Sequence, residues 1–197
     1  MNHNKPLLLA VAACLAISAC SRNDAPREPG EGPGAPADPQ AAAAAPQPAV
    51  ATAQLESKSG STVVGEFELR GTEGGVSLIG EISGLRPGSE HAFHVHETGD
   101  CSAPDASSAG EHLNPANAPH GAPTVGENER HLGDLPNFVA DENGRSNVTA
   151  AITGATLRDG GPNDVMGKAL IVHEGRDDYV TQPSGNSGGR IACGVIR

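Results

Sequence analysis

The sequence predicts an all-β domain, a Greek-key β-sandwich or barrel of the immunoglobulin-like kind with two long functional loops. Three observations carry this. From Gln54 onward, short runs alternate polar and apolar residues with the period of two that a half-buried strand requires, and glycine-rich turns separate them. No amphipathic helical repeat of useful length occurs. Two segments refuse the strand pattern, one from 101 to 134 that is rich in Gly, Pro, Asn and Ala and one from 176 to 189. Loops of that length inside a compact domain are usually functional.

The elements follow in order. Residues 66–70 alternate, 71–75 turn, and Val76, Leu78, Gly80 and Ile82 share one face of the next run. A turn at 86–89 leads into a histidine-rich strand at 91–96, which would be the third or fourth. Later strands are expected at 138–140, around Val148, Ala150 and Ile152, at 168–173 and at 190–196. On the strand at 91–96, His94 and His96 emerge on one face with Val95 behind them, because successive strand side chains point to opposite sides. His91 is expected to face away and to be structural.

The N-terminus is of a different composition. A polar start with Lys5, the apolar run from Leu7 to Ala16 and then Ile17-Ser18-Ala19-Cys20 read as a secretory signal over 1–19, its apolar core being too short to span a bilayer. The last four residues resemble the lipobox of bacterial lipoproteins, which implies that Cys20 carries the lipid; Ser21 after it points to the outer membrane. Residues 20–53 are Pro, Ala and Gly with scattered charge, which cannot bury enough apolar surface to offset ordering, so a disordered linker is expected there and the domain at 54–197. The protein is thus expected in the cell envelope, facing the periplasm, touching the membrane only through its anchor.

With Cys14 and Cys20 assigned to signal and anchor, Cys101 and Cys193 are the cysteines of the domain. An even pair in an exported chain reads as a disulfide, with a metal thiolate as the alternative. From Gln54 onward ten basic residues face twenty acidic ones, and the whole chain has no Trp and one Tyr. That balance excludes nucleic acid, which requires cationic and base-stacking surfaces.

His112, His120 and His131 lie on the first long loop, with Asp134 three residues beyond the last of them. Three imidazoles and a carboxylate suit tetrahedral zinc. His94, His96 and His173 sit on strands or strand ends, and with one more imidazole they offer the all-nitrogen set preferred by Cu(II). His112, first in the loop, can serve both metals through its two ring nitrogens. Taken singly, a His-x-His pair is more often a solvated polar face, Asp134 a turn residue, Asp177 a loop acid and Arg190 an anchor among glycines.

Taken together, these residues carry a family resemblance. The run Ala92-Phe93-His94-Val95-His96-Glu97-Thr98-Gly99-Asp100 is similar to the first signature of the copper/zinc superoxide dismutases, in their exported bacterial form. Gly185-Asn186-Ser187-Gly188-Gly189-Arg190-Ile191-Ala192-Cys193-Gly194-Val195-Ile196 is similar to the second. The resemblance covers roughly 60–197. It implies copper on His94, His96, His112 and His173, and zinc on His112, His120, His131 and Asp134. It also implies a Cys101–Cys193 disulfide and an Asp177 that links His94 to His120 from outside the ligand sets. The implied activity is dismutation of superoxide, with His112 as bridge and proton donor and Arg190 holding the anion. Relatives occur as monomers and as dimers, so a homodimer is admitted. A net charge of −10 from Gln54 onward repels an anion, so a local positive field is required, for which Arg176 and Arg190 are the nearest candidates, then Lys58 and Lys168. The competing expectation is a non-catalytic lipoprotein that buffers or delivers copper and zinc.

Overall fold

The computed structural model describes residues 48–197. The expected signal, the lipidated Cys20 and most of the expected linker lie outside the described residues. Among the described residues nine strands occur in chain order: β1 (Val50–Ser57), β2 (Val64–Thr72), β3 (Gly75–Ser83), β4 (Glu90–His91), β5 (Phe93–His96), β6 (Phe138–Val139), β7 (Ser146–Thr153), β8 (Ala169–His173) and β9 (Arg190–Val195). A single 3₁₀ turn, Ser107–Ala109, is the helical element among the described residues.

The domain boundary needs correction. It was expected at 54, but β1 begins at Val50 and pairs with β2 from Val50↔Arg70 onward. The reason lies in side-chain size. Ala51 and Ala53 are buried and alternate with exposed Thr52 and Gln54, yet two alanines on a strand look no different in composition from those of the linker.

Seven strands form one curled antiparallel sheet in the order β5-β8-β9-β1-β2-β3-β7, with β4 and β6 as a separate short pair. The non-sequential neighbours are Greek-key crossovers. The curl follows from β1, whose first six residues pair with β2 while Glu56 and Ser57 pair with β9. Alternation decides which faces meet inside. Phe67 and Leu69 from β2, Val76, Leu78 and Ile82 from β3, and Val148, Ala150 and Ile152 from β7 join Phe93 and Val95 in one core. Glu66, Glu68 and Thr149 point to solvent.

The other half of the sheet is buried on both faces. Every residue of β5 and β8 is buried, whereas an antiparallel sheet ordinarily keeps one face wet. The covering layer is the two long loops. A second small cluster of Ala106, Ala109, Ala169, Ile171 and Cys193 sits beneath the first of them, beside Cys101. The expected Cys101–Cys193 disulfide is present, with Cα atoms 5.7 Å apart and a sequence separation of 92. Chain-entropy reasoning assigns such a closure about 4 to 5 kcal/mol.

Candidate metal centre

One edge of β5 pairs with β8; the other is covered by the long loop. Val95 N–H donates to Gly133 O at 2.9 Å, Leu113 N–H donates to Val95 O at 2.8 Å, and Gly133 N–H donates to Leu113 O at 2.9 Å. These bonds set two isolated bridges, His94 against Asp134 and His96 against His112. Loop residues thereby gain the rigidity of a strand. Gly133 is required for this approach, since a Cβ there would lie 2.1 Å from Val95 O.

On the β8 side, His173 ends β8 opposite Arg190 of β9, just after a register shift between Val172 and His173. Such irregularities re-aim side chains beside functional sites. This one places Arg190 next to the histidines. The Arg190 guanidinium is half-buried and donates to Ala106 O at 2.8 Å, so the loop closed by the disulfide orients it.

His94, His96, His112 and His173 are all buried and present ligand atoms within 4.8 Å of one another. Their hydrogen bonds dictate which nitrogens these are. His96 Nδ1–H donates to Gly110 O at 2.9 Å and His173 Nδ1–H to Gly188 O at 3.2 Å; a carbonyl only accepts, so each ring keeps its lone pair on Nε2. His94 Nε2–H donates to Asp177 Oδ2 at 2.8 Å, leaving the lone pair on Nδ1. His94 Nδ1, His96 Nε2, His112 Nε2 and His173 Nε2 are buried and have no partner. Unpaired buried acceptors are costly, and four converging imidazole lone pairs are satisfied by a borderline divalent transition metal such as Cu(II). The donor set fits copper.

The second group shares His112. From Asp134 Oδ1, His112 Nδ1 is at 2.8 Å, His120 Nδ1 at 3.0 Å and His131 Nδ1 at 3.3 Å, and the Nδ1 atoms of His112 and His131 are 3.3 Å apart. A tetrahedron of ligands at zinc's bond length of about 2.0 Å has edges of about 3.3 Å. The observed set is of that size and composition, so it fits zinc. Asp134 is aimed by its other oxygen, Oδ2, which accepts the N–H of His131 at 2.9 Å and of Gly121 at 3.1 Å.

Asp177 joins the groups. Its Oδ2 accepts from His94 and its Oδ1 accepts from His120 Nε2 at 2.9 Å and from Tyr179 N–H at 2.6 Å. Ligand orientation by outer carboxylates of this kind is general in metal sites. Sequence reasoning missed what holds Asp177 itself. Asn137 grips its backbone from both sides, Nδ2 donating to Asp177 O at 2.8 Å and Oδ1 accepting Asp177 N–H at 2.9 Å. Nothing in the local sequence distinguishes this Asn from a turn residue. Ser187, whose Oγ is 3.1 Å from His173 Nδ1, and Gly185, which packs against Asp177, were also missed as individuals, although both stand in the second glycine-rich signature.

His91 lies outside both groups. It is buried, stacks on Phe138 with centroids 5.7 Å apart, and contacts Ser89 Oγ at 2.6 Å. Its Nδ1–H donates to His173 O at 2.8 Å, so it braces the backbone of one group member from behind. Of the four cations considered for a positive field, Arg190 lies close enough to His96 and His173 to disfavour their protonation. Lys168 is committed to Glu97 O at 2.9 Å.

Electrostatics follow from burial. Desolvation lowers His94 to about 4 and holds His96 and His173 well below the ordinary histidine value; His112 is lowered for the same reason. His120 moves the other way: burial disfavours its charge, but hydrogen bonds to Asp134 and Asp177 prevail and raise it to about 9. Asp134 and Asp177 fall well below the carboxylate range, since the same histidine hydrogen bonds outweigh their burial.

A pH profile follows for the metal-free protein. Below about 6.5 the four lowered histidines bind protons more readily when unfolded, so acid favours unfolding through up to four sites. The contribution of His120 is complete below about 6.5 and is lost as pH rises towards 9. Asp134 and Asp177 add stability above about 3.9 that disappears as pH falls further. The melting temperature is therefore expected to peak near pH 6.5, falling more steeply on the acid side. A profile flat between pH 5 and 7 would contradict it.

Together, fold and centre define a class: a Greek-key β domain with a four-histidine group and a three-histidine, one-aspartate group sharing a single imidazole. Comparison with known proteins agrees. The family described as copper/zinc superoxide dismutase matches residues 63–196. The chain is 41% identical over 150 residues to superoxide dismutase [Cu-Zn] 2 of Aquifex aeolicus, covering 75% of this chain and 86% of that protein. It is 33% identical over 195 residues to the superoxide dismutase-like protein YojM of Bacillus subtilis, covering 96% and 94%. A crystal structure of a SOD-like protein from Bacillus subtilis superposes with a TM-score of 0.65 at 37% identity, over 73% of this chain and 95% of that one. The chain belongs to the copper/zinc superoxide dismutase family and is an oxidoreductase of that class, with copper and zinc as its metals.

Proposed function

We propose that the protein dismutes superoxide in the bacterial cell envelope, holding copper on His94, His96, His112 and His173 and zinc on His112, His120, His131 and Asp134. The observation that carries this is the set of four unpartnered imidazole nitrogens beside a tetrahedral group that shares His112. Bound copper supplies two accessible oxidation states, which a reaction that oxidises one superoxide and reduces another requires. Two superoxide anions and two protons give one oxygen and one hydrogen peroxide.

The chain's own residues do the rest. Arg190 is placed by its ladder partner His173 and by Ala106 O to bind the incoming anion through charge-assisted hydrogen bonds. His112 Nε2 faces the other three imidazoles, and it is the atom at which a proton is held and passed to the reduced product. His120 and Asp177 keep the ring set from turning. The N-terminal motif at Cys20 supports a lipid anchor, and the Pro/Ala-rich segment after it supplies reach to the domain.

The test is superoxide decay catalysed by the purified full chain after loading with both metals. Acceleration far beyond free buffer is expected; metal-bound protein that leaves decay unchanged would favour the second reading, a copper and zinc buffer. The similarity to a superoxide dismutase-like protein over 96% of this chain favours keeping that reading in the experiment. If Arg190 and its neighbours attract the anion against the net negative charge, raising ionic strength from about 0.01 to 0.15 M, which shortens the screening length from about 30 to 8 Å, is expected to slow the reaction. A rate that does not fall removes the attraction and leaves the chemistry standing.

A further inference from the structure

Gln182 lies in the loop of 176–189, between Asp177 and Arg190. Its carboxamide pairs with both polar groups of one backbone residue on the other long loop. His120 N–H donates to Gln182 Oε1 at 2.8 Å, and Gln182 Nε2 donates to His120 O at 2.9 Å. The two backbone groups fix which end of the amide is oxygen. The pattern is that of a β-bridge in which a side chain replaces the second strand.

His120 lacks the bridges that hold two of its companions. His112 and Asp134 sit on bridges to β5, whereas His120 lies in coil. Its ring meets Asp134 at Nδ1 and Asp177 at Nε2, and its own backbone N–H and C=O are held by the second loop through Gln182. Gln182 is itself exposed, so its side chain contributes little to the apolar core.

We propose that Gln182 is a positioning residue for the zinc group: it sets the backbone of His120 and makes the order of loop 176–189 depend on occupation of that group. The inference rests on reading His112, His120, His131 and Asp134 as the zinc site. Two backbone bonds inside the loop report its order, Asp178 N–H to Gly185 O at 2.9 Å and Gly185 N–H to Thr181 O at 2.7 Å.

The experiment compares the full chain with Gln182→Ala and Gln182→Glu. Zinc release to a chromogenic chelator and amide exchange at Asp178 and Gly185 are measured with and without zinc. Loss of an outer partner of a metal ligand typically costs about 10- to 100-fold, and about tenfold faster release is expected for Gln182→Ala. Gln182→Glu keeps an acceptor for His120 N–H and loses the donor, so it should fall between. In the parent, removing zinc should speed exchange at both amides; in Gln182→Ala exchange should already be fast with zinc bound. Release within twofold of the parent, with unchanged exchange, overturns the proposal. So does a melting temperature lowered equally with and without zinc, which assigns Gln182 to stability alone. A parent that takes up no zinc overturns the zinc reading itself, and is recognised by metal analysis before any variant is made.

Discussion

His112→Ala is expected to abolish dismutation to below about one per cent of the parent while leaving the fold intact. The ring is the one member common to both groups, so its removal takes Nε2 from the four-histidine set and Nδ1 from the tetrahedral set at once. Losing an outer partner alone costs up to about 100-fold in affinity or activity, and a shared ligand should cost at least as much. The fold should survive because His112 belongs to a loop segment held at its backbone by Leu113 and Val95 rather than by its ring. The diagnostic measurement is spectroscopic. In the parent, removing zinc should alter the copper absorption and electron paramagnetic resonance; in His112→Ala the copper spectrum should no longer respond to zinc. A parent whose copper spectrum ignores zinc would refute the shared bridge.

Gly185→Ala is expected to be nearly as damaging, although this residue has no side chain to contribute. Gly185 has φ of +66°, and a Cβ built on it would lie 1.7 Å from Asp177 Oδ1 and 2.7 Å from His120 Nε2. The first distance is impossible for non-bonded atoms, so Asp177 must leave His120 or the loop must move. Either result breaks the carboxylate that orients one histidine of each group. About 10- to 100-fold weaker zinc binding is expected, by the reasoning that applies to any outer carboxylate, together with a fall in activity. Asp177→Asn serves as the comparison, because it removes the charge without moving the loop. Wild-type zinc affinity in Gly185→Ala would show that the loop relaxes freely and that the close approach is unimportant.

Much of the fold was legible. Alternation at 66–70, 76–82 and 148–153 identified β2, β3 and β7, because one face of each is wet and the contrast survives in sequence. β1 is not legible as a strand, since its first half falls in the expected linker and alanine is too small to contrast with it. β6 lies where a strand is expected, at 138–140, whereas the expected strand at 91–96 is two strands, β4 and β5, a break too short for periodicity to resolve. The strands nearest the centre, β5 and β8, are buried on both faces, and their polar residues are histidines that alternation would place in solvent. They are legible from their position between turns in the succession of short runs, and the chemistry identifies what their histidines do.

For the site the division is sharper. The seven side chains of the two groups are visible in the sequence as histidines and one aspartate at suggestive intervals, and the cysteine pair is visible as an even count. Asn137, Gln182 and Gly185 are not visible in this way, because each acts through backbone contacts with a residue 40 or more positions away or through empty space.

What the sequence determined by itself was composition: which residues can bind metal, which cysteines can pair, and which runs can form half-wet strands. Tertiary structure decided geometry. Only the bridges along β5 bring His112 and Asp134 to His94 and His96, and only the shift after Val172 turns Arg190 towards them. The physical reason is that ligand type is a property of a side chain, whereas the direction of a lone pair depends on backbone hydrogen bonds between segments far apart in the chain.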